Sequence, residues 1–133
     1  MTSAKESEMA RLEHVNVTVT DPDATAQLLC NLFGWQIRWA GPGMQTGRTV
    51  HVGDADSYVA LFSFGDPADR TQSSYATRAG LNHIGVVVDD LDAVELRVKA
   101  AGYVPENHAD YEPGRRFYFT EGNGVEIEVV SYD

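Results

Sequence analysis

The chain contains one segment twice, and this repeat is the feature that most constrains its fold. Residues 12–21 align with residues 81–90 at an offset of 69, which places a histidine on a histidine and keeps every alternate apolar residue. After the next helical pattern the offset becomes 68, as from Gly34 to Gly102. A duplicated module tolerates a one-residue shift at a helix end, so we expect two copies of one supersecondary unit.

Alternation and glycine positions predict the same order of elements in both copies. Alternating apolar residues predict half-buried strands at 12–20 and 81–88. Asp-Pro-Asp at 21–23 and Asp-Asp at 89–90 offer helix caps, and a glycine follows each apolar helical stripe. Three more strands are predicted per copy, at about 35–39, 48–53 and 57–64, and at about 103–106, 115–120 and 125–131.

This order of elements predicts an α+β fold in a single domain, residues 1–133. Two β-α-β-β-β modules, at about 11–64 and 80–132, are expected to form a cupped mixed sheet with the helices on its outer face. The polar stretch 65–79 is the expected linker. The polar segment 1–9 is expected to be an unstructured lead-in, without the apolar core of a secretory signal.

Charge and cysteine content limit the partners and the compartment. The net charge of −10 would repel a phosphate backbone, so no nucleic-acid partner is expected. No stretch is long and apolar enough to span a membrane, so no membrane partner is expected either. Cys30 is the one cysteine and cannot form an intramolecular disulfide, which favours a reducing cytoplasm; we assign it no catalytic role.

Alternation also directs three side chains with metal-binding chemistry to one side of the predicted sheet. The alternate residues Val15, Val17 and Val19 must pack on a helix, which directs His14 to the opposite side of the strand. The same reasoning directs His83 and Glu128 away from the helices. Two histidines and one carboxylate are the ligand set of Fe(II) oxygenases and leave positions open for substrate. A single strand histidine is more often only hydrogen-bonded, but equivalent positions in a repeated strand favour metal binding.

The repeat is broken at the carboxylate. At an offset of 68 the counterpart of Glu128 is Ala60, so three protein ligands are expected and not four. His51 aligns with Phe119 at this offset, and we expect it to point away from the site and to be structural. Substrate is expected to contact the site-facing side chains of the first module, namely Asn16, Thr18, Tyr58, Ala60 and Phe62.

Three motifs resemble those of the vicinal oxygen chelate superfamily, over residues 12–132. They are Leu-x-His-Val at 12–15, Leu-x-His-Ile at 81–84, and Phe-Tyr-Phe-x-Glu-Gly-Asn-Gly-x-x-x-Glu at 117–128. The superfamily includes glyoxalase I, extradiol dioxygenases, fosfomycin-resistance transferases, methylmalonyl-CoA epimerases and bleomycin-binding proteins. The resemblance implies paired modules around one divalent metal ion (Fe, Mn, Ni or Zn), which the substrate chelates through adjacent oxygens.

The number of ligands separates the subfamilies. Glyoxalase I and the epimerases typically have a fourth ligand where this chain has Ala60. Extradiol dioxygenases and fosfomycin transferases have three ligands and a tyrosine ten residues before the glutamate, as Tyr118 is here. Alternation puts Tyr118 on the Glu128 side, where its hydroxyl is expected to be catalytic by orienting an oxygen on the metal; packing of the aromatic ring between the modules is the alternative. His108 is one residue away from the position of a histidine near the metal in extradiol enzymes, and its polar surroundings predict an exposed loop. The acidic segment 108–112 argues against a phosphonate substrate.

The resemblance and the ligand set predict a metal-dependent enzyme acting on a small oxygenated molecule, and extradiol dioxygenases match it best. A glyoxalase-like lyase or isomerase is one alternative. The other is a protein of the bleomycin-resistance type, which sequesters a ligand without chemistry. Its groove would be lined by aromatic residues, namely Trp35, Trp39, Tyr58, Phe62 and Phe64.

Two copies of the chain are expected to form a homodimer. A sheet built from two modules exposes strand edges, and the relatives bury these by pairing subunits. The strand that contains Trp35, Ile37 and Trp39 adds a reason, because one of its sides lacks polar residues.

Overall fold

The computed structural model describes residues 9–111 and 113–132. Of the expected lead-in only Met9 is described, so that prediction lies outside the described residues. Contacts group the chain into two compact units, the first with the residues up to Cys30 and Trp35–Gly65, the second with Asn31–Gly34 and the residues from Asp66 onward. Within the described ranges no helix has the length and apolarity needed to cross a membrane. The cytoplasmic location stays a prediction.

The first module has the predicted order of strand, helix and three strands. Its elements are β1 (His14–Thr18), α1 (Pro22–Phe33), β2 (Gln36–Pro42), β3 (Arg48–Gly53) and β4 (Tyr58–Ser63). The sheet has the order β1-β4-β3-β2, in which β1 and β4 are parallel and the other neighbours are antiparallel.

The second module repeats this topology. Its elements are β5 (His83–Val87), α2 (Leu91–Ala100), β6 (Glu106–Tyr111), β7 (Gly114–Thr120) and β8 (Glu126–Ser131). The sheet order is β5-β8-β7-β6, again with one parallel pair, β5 and β8. The predicted α+β fold with two β-α-β-β-β modules is therefore confirmed.

Both helices begin at an aspartate and end before a glycine, as predicted. The carboxylate of Asp21 accepts a hydrogen bond of 3.1 Å from the N–H three residues on, and Asp90 caps α2 in the same way. Pro22 is the first residue of α1, where a missing N–H removes no helical bond. Gly34 and Gly102 follow the helices with φ angles of 72° and 95°, a left-handed conformation that suits glycine.

The prediction fails at the sixth strand. The sequence predicts a strand at 103–106, whereas β6 runs from Glu106 to Tyr111. Tyr103, the first residue of the predicted strand, packs its ring against Phe119 before β6 begins. β6 is an edge strand whose residues are mostly polar and exposed, so it lacks the apolar alternation that reveals a half-buried strand.

β2 contains a bulge, which changes the side of the sheet to which its residues point. Ile37 pairs with Val52 and Trp39 pairs with His51, with an irregularity between the two pairs. Because Val52 and His51 are adjacent in β3, their partners point to opposite sides of the sheet. The prediction that Ile37 and Trp39 share one apolar side is therefore wrong, since the extra residue, Arg38, shifts the alternation.

The two modules differ in the length of one loop, so the predicted alignment of β3 with β7 is wrong by one residue. The loop between β3 and β4 is 54–57, and the loop between β7 and β8 is 121–125, one residue longer. Arg48 and Arg115 each pair with the last serine of the neighbouring strand. Each also forms an ion pair with an aspartate in the first turn of its module's helix, at 2.9 and 3.1 Å. The counterpart of Arg48 is thus Arg115 and not Arg116, as a constant offset of 68 would predict.

Each sheet buries its helix-facing side. In β8 the buried Ile127 and Val129 alternate with the half-buried Glu126 and Glu128, as predicted. The most deeply buried large side chains are Val19, Leu32, Leu61, Val50, Val52, Val98, Phe117, Phe119 and Val129. This burial directs His83 and Glu128 to the other side of the second sheet.

Candidate metal centre

Two of the three predicted metal ligands meet in the second module. β5 and β8 are neighbours, and the Nε2 of His83 lies 3.1 Å from the Oε1 of Glu128. The two side chains are 33% and 13% exposed. The 3.1 Å separation is the distance of an ion pair between the two side chains. It also matches two ligands at right angles about 2.1 Å from one ion, which are about 3.0 Å apart.

The other ring nitrogen of His83 faces a tyrosine and a second glutamate. The hydroxyl of Tyr75 lies 3.4 Å from Nδ1 and donates a hydrogen bond to Oε1 of Glu126, which is itself 3.8 Å from Nδ1. That hydrogen bond is the largest of the causes that raise the pKa of Tyr75 to about 12, so the hydroxyl keeps its proton at neutral pH. Since Nδ1 faces this pair, Nε2 is the nitrogen that His83 presents to an ion.

The second oxygen of Glu128 binds an arginine that sequence analysis did not assign to the site. Nη1 of Arg116 donates to Oε2 of Glu128 at 2.7 Å, and both side chains are 13% exposed. Tyr118 pairs with Glu128 across the strands and meets the ring of His83 edge-on, with centroids 5.8 Å apart. Burial raises the pKa of Tyr118, and the charge and hydrogen bond of Glu128 raise it further, so the phenol remains a proton donor.

His14 lies on β1 of the first unit and has similar partners. Its Nδ1 is 2.9 Å from Oε1 of Glu13, and its ring stacks on Tyr58 at a centroid distance of 4.8 Å. The hydroxyl of Tyr58 donates to the same Glu13 oxygen at 3.3 Å. Like His83, His14 therefore has a glutamate and a tyrosine near Nδ1, which leaves Nε2 for an ion.

Within the part of the chain that the structure describes, no three His, Cys, Asp or Glu side chains converge to hold a metal ion. The second module thus brings together His83 and Glu128, and His14 is described in the first unit alone. The donor set fits a divalent ion through the imidazole nitrogen and carboxylate oxygen of this pair, with a suitable separation. The complete triad stays a prediction.

The predicted substrate contacts all lie on the His14 side of the first sheet. In the parallel register of β1 and β4, Asn16 pairs with Ala60, and Thr18 pairs with Phe62. Ala60 and Phe62 are only 2% and 8% exposed, whereas Asn16 and Thr18 are exposed. The ring of Phe62 lies under the turn before β3, where a Cβ on Gly43 would come within 2.9 Å of it. Tyr58 is half-buried, and its ring contacts His14, His51 and the guanidinium group of Arg38.

His51 belongs to this side of the sheet, contrary to the sequence prediction. It pairs with Ala60, as Tyr118 pairs with Glu128, so the counterpart of His51 is Tyr118 and not Phe119. The shorter β3–β4 loop is the cause, because it changes the offset in β3. His51 stacks on Tyr58 at 4.5 Å and contacts Trp39 at 5.2 Å, and burial is the main cause that lowers its pKa.

His108 lies outside the site. It is part of β6 and not of a loop, as the sequence predicted. Its Nε2 is 3.0 Å from Oε2 of Glu95 on α2, and its ring packs on the buried Phe117. Both contacts are on the helix-facing side of the sheet, so His108 has no part in binding an ion at Glu128. Cys30 is half-buried on α1, as expected of a structural residue.

Two residues that contact the site, Arg116 and Tyr75, were not predicted from the sequence. Arg116 alternates with Tyr118 in β7, and this spacing alone could have placed it beside Glu128. Tyr75 lies in the stretch between the modules, where no periodicity indicates the direction of a side chain. Only the folded path of that stretch reveals its contact with Glu126.

Comparison with known proteins agrees with this architecture. The family model described as Glyoxalase/Bleomycin resistance protein/Dioxygenase superfamily matches residues 11–129. No curated protein matches the chain by sequence.

Solved structures with the same fold come from several bacteria. A glyoxylase/bleomycin resistance protein/dioxygenase domain from Frankia sp. EAN1pec has a TM-score of 0.78 and 21% identity, with 95% of this chain and 100% of that chain covered. FosX from Listeria monocytogenes, a fosfomycin resistance protein complexed with Mn(II) and sulfate, has a TM-score of 0.70, 18% identity, and 92% and 93% coverage. TnmS3, an antibiotic binding protein from Streptomyces sp. CB03234, has a TM-score of 0.69, 15% identity, and 95% and 98% coverage. At these identities the likeness shows the fold.

Proposed function

Because the chain belongs to the glyoxalase/bleomycin resistance protein/dioxygenase superfamily, we propose that it is a metal-dependent enzyme that binds a small substrate through two adjacent oxygens. His14, His83 and Glu128 are the proposed ligands of one divalent ion, supplied by one chain or by two copies of it. The observation that carries this proposal is the 3.1 Å separation of Nε2 of His83 and Oε1 of Glu128. The Mn(II) bound by FosX supports a divalent ion in this fold.

The surrounding residues have distinct proposed roles. A bound ion would polarise the two substrate oxygens and stabilise negative charge that develops on them. Tyr118 retains its proton and can donate it to a substrate oxygen beside Glu128. Tyr75 and Glu126 hold the ring of His83. Ala60 provides no fourth ligand, which favours an open site over the four-ligand site of glyoxalase I.

Extradiol-type oxygenation is the reaction we propose, and dioxygen uptake tests it. Fe(II)-loaded protein with catechol, a vicinal diol, is expected to consume dioxygen and form a ring-cleaved product. Tyr118→Phe should lower kcat by roughly 100-fold, because a proton donor is removed, while metal content is unchanged. Tyr132→Phe is the control, since Tyr132 is an exposed tyrosine.

The same Fe(II)-loaded protein also tests the alternative of a glyoxalase-like reaction. The wild type is expected to show no turnover of the hemithioacetal of methylglyoxal and glutathione, because it lacks a fourth ligand to act as base. Efficient turnover of that substrate, or dioxygen uptake that Tyr118→Phe leaves unchanged, would contradict the proposed reaction.

Ligand sequestration is the second candidate, and one observation favours it. The rings of Trp39, His51, Tyr58 and His14 lie in contact across four strands, with centroid distances of 5.2, 4.5 and 4.8 Å. The inner rings stack on their neighbours, so a planar aromatic molecule would extend the row by stacking at its ends, on Trp39 or His14. TnmS3 is an antibiotic binding protein of this fold. Tight binding of an aromatic ligand without metal and without turnover would favour this function over the enzyme.

We also propose a homodimer, from exposed strand edges alone. β2 and β6 are edge strands of their sheets, and unpaired edges favour association. Ile37 and Trp39 point to opposite sides of the sheet, so β2 has no wholly apolar side that would favour a dimer. Light scattering at micromolar concentration should give about twice the chain mass of 14.6 kDa. A mass near that of one chain would contradict the proposal.

A further inference from the structure

Arg116 is a half-buried cation at the candidate metal centre. It lies two residues before Tyr118 in β7, so both side chains point to the same side as Glu128. One nitrogen, Nη1, is bound to Glu128 at 2.7 Å. Among the described residues, Nε and Nη2 are buried without a hydrogen-bond partner.

The two nitrogens without partners form one edge of the guanidinium group. Nε–H and one Nη2–H point in parallel from that edge, at the spacing of two oxygens of a carboxylate or phosphate group. Buried donors without acceptors destabilise a folded protein, and a buried charge does so more. This edge is therefore suited to an anionic group of a ligand.

A divalent ion bound at this site would make its charges favour an anion. Without the ion, Glu128 compensates the charge of Arg116, and Glu126, which accepts a hydrogen bond from Tyr75, adds one negative charge. A divalent ion at His83 and Glu128 would leave a net positive charge on this side of the sheet. The whole chain has a net charge of −10 and repels anions, so a local cation is needed to attract one.

Tyr111 lies with its ring beside the guanidinium group of Arg116. Its ring lies 5.6 Å from the Cζ of Arg116, and the residue is 64% exposed. It is the last residue of the edge strand β6. An exposed side chain at a strand end changes rotamer at small energetic cost, and a ligand needs such a local movement to reach the buried Nε and Nη2.

We propose that Arg116 binds a carboxylate group of the substrate through Nε and Nη2, while the adjacent oxygens of the same molecule face the metal centre. This inference rests on the proposed function and names its substrate class, a carboxylated vicinal-oxygen compound. A planar carboxylate matches the two parallel donors.

Paired ligands test the proposal. The affinities of 3,4-dihydroxybenzoate and catechol are measured by calorimetry, with metal-free and with Mn(II)-loaded protein. The wild type should bind the carboxylated ligand about 10-fold or more tightly than catechol, as expected for charge-assisted hydrogen bonds. Arg116→Met should abolish this preference, and Arg116→Lys should retain a part of it.

Arg115→Met is the matched control. Arg115 is the neighbouring arginine, is half exposed, and pairs with Asp92 on the helix side. This variant should keep the full preference. Circular dichroism establishes that Arg116→Met is folded, and its Mn(II) affinity separates a lost carboxylate contact from a damaged Glu128.

Three other results would bear on the role of Arg116, on the carboxylate assignment and on the metal-dependent function. A wild type without preference in both states, or a preference that survives in Arg116→Met, overturns the proposal. Inorganic phosphate bound more tightly than 3,4-dihydroxybenzoate, and dependent on Arg116, overturns the carboxylate assignment in favour of phosphate. A preference in metal-free protein that never binds Mn(II) upholds the role of Arg116 and refutes the metal-dependent function.

Discussion

Replacing His83 with alanine is expected to abolish stoichiometric metal binding. His83 and Glu128 form the pair whose donor atoms are 3.1 Å apart, and the substitution removes one of its two donors. A four-ligand zinc site contributes roughly 12 kcal/mol, or about 3 kcal/mol per ligand, so the affinity should fall about 100-fold or more. Metal content after dialysis and a chelator competition measure the loss.

His108→Ala is the control for this substitution. His108 also pairs with a glutamate, at 3.0 Å, but on the helix-facing side of the same sheet. Its loss should leave metal affinity unchanged. Equal metal content in wild type and His83→Ala would refute the assignment of His83.

Glu126→Gln is expected to weaken metal binding by roughly 10- to 100-fold, although Glu126 is not a proposed ligand. Its carboxylate binds the hydroxyl of Tyr75, which lies 3.4 Å from Nδ1 of His83. Loss of this charge should let the ring proton move from Nδ1 to Nε2, where it blocks the ion. Tyr75→Phe should have an effect in the same direction.

Glu95→Gln is the matched control, because Glu95 is another half-buried glutamate paired with a histidine, His108. The ¹⁵N chemical shifts of His83 in metal-free protein report the tautomer directly. A wild type with its proton on Nε2, or an unchanged metal affinity in Glu126→Gln, would show that Glu126 has no positioning role.

The fold was predictable because the repeat and the alternation depend on local sequence. Strand alternation correctly directed His83 and Glu128 to one side of the second sheet. Ile127 and Val129, which flank Glu128, must be buried, and so must Val86 in the strand of His83. The exceptions were β6, an exposed edge strand that needs no apolar pattern, and β2, whose bulge shifts the alternation.

The site was less predictable because it depends on register and on contacts distant in sequence. One extra residue in the loop 121–125 was enough to assign His51 to the wrong side of the sheet. Tyr75 reaches Glu126 from 51 positions away, through a stretch without periodicity. For the same reason as with His51, a constant offset aligns Arg48 with Arg116, whereas the counterpart of Arg48 is Arg115.

Counting the histidine nitrogens on the bound ion tests the triad most directly. Electron spin echo envelope modulation of the vanadyl-loaded protein detects each coordinated imidazole through its ¹⁴N coupling. We predict two imidazoles in the wild type and in His51→Ala, and one in each of His14→Ala and His83→Ala. Two imidazoles in His14→Ala, or fewer than two in the wild type, would contradict a site formed by His14, His83 and Glu128.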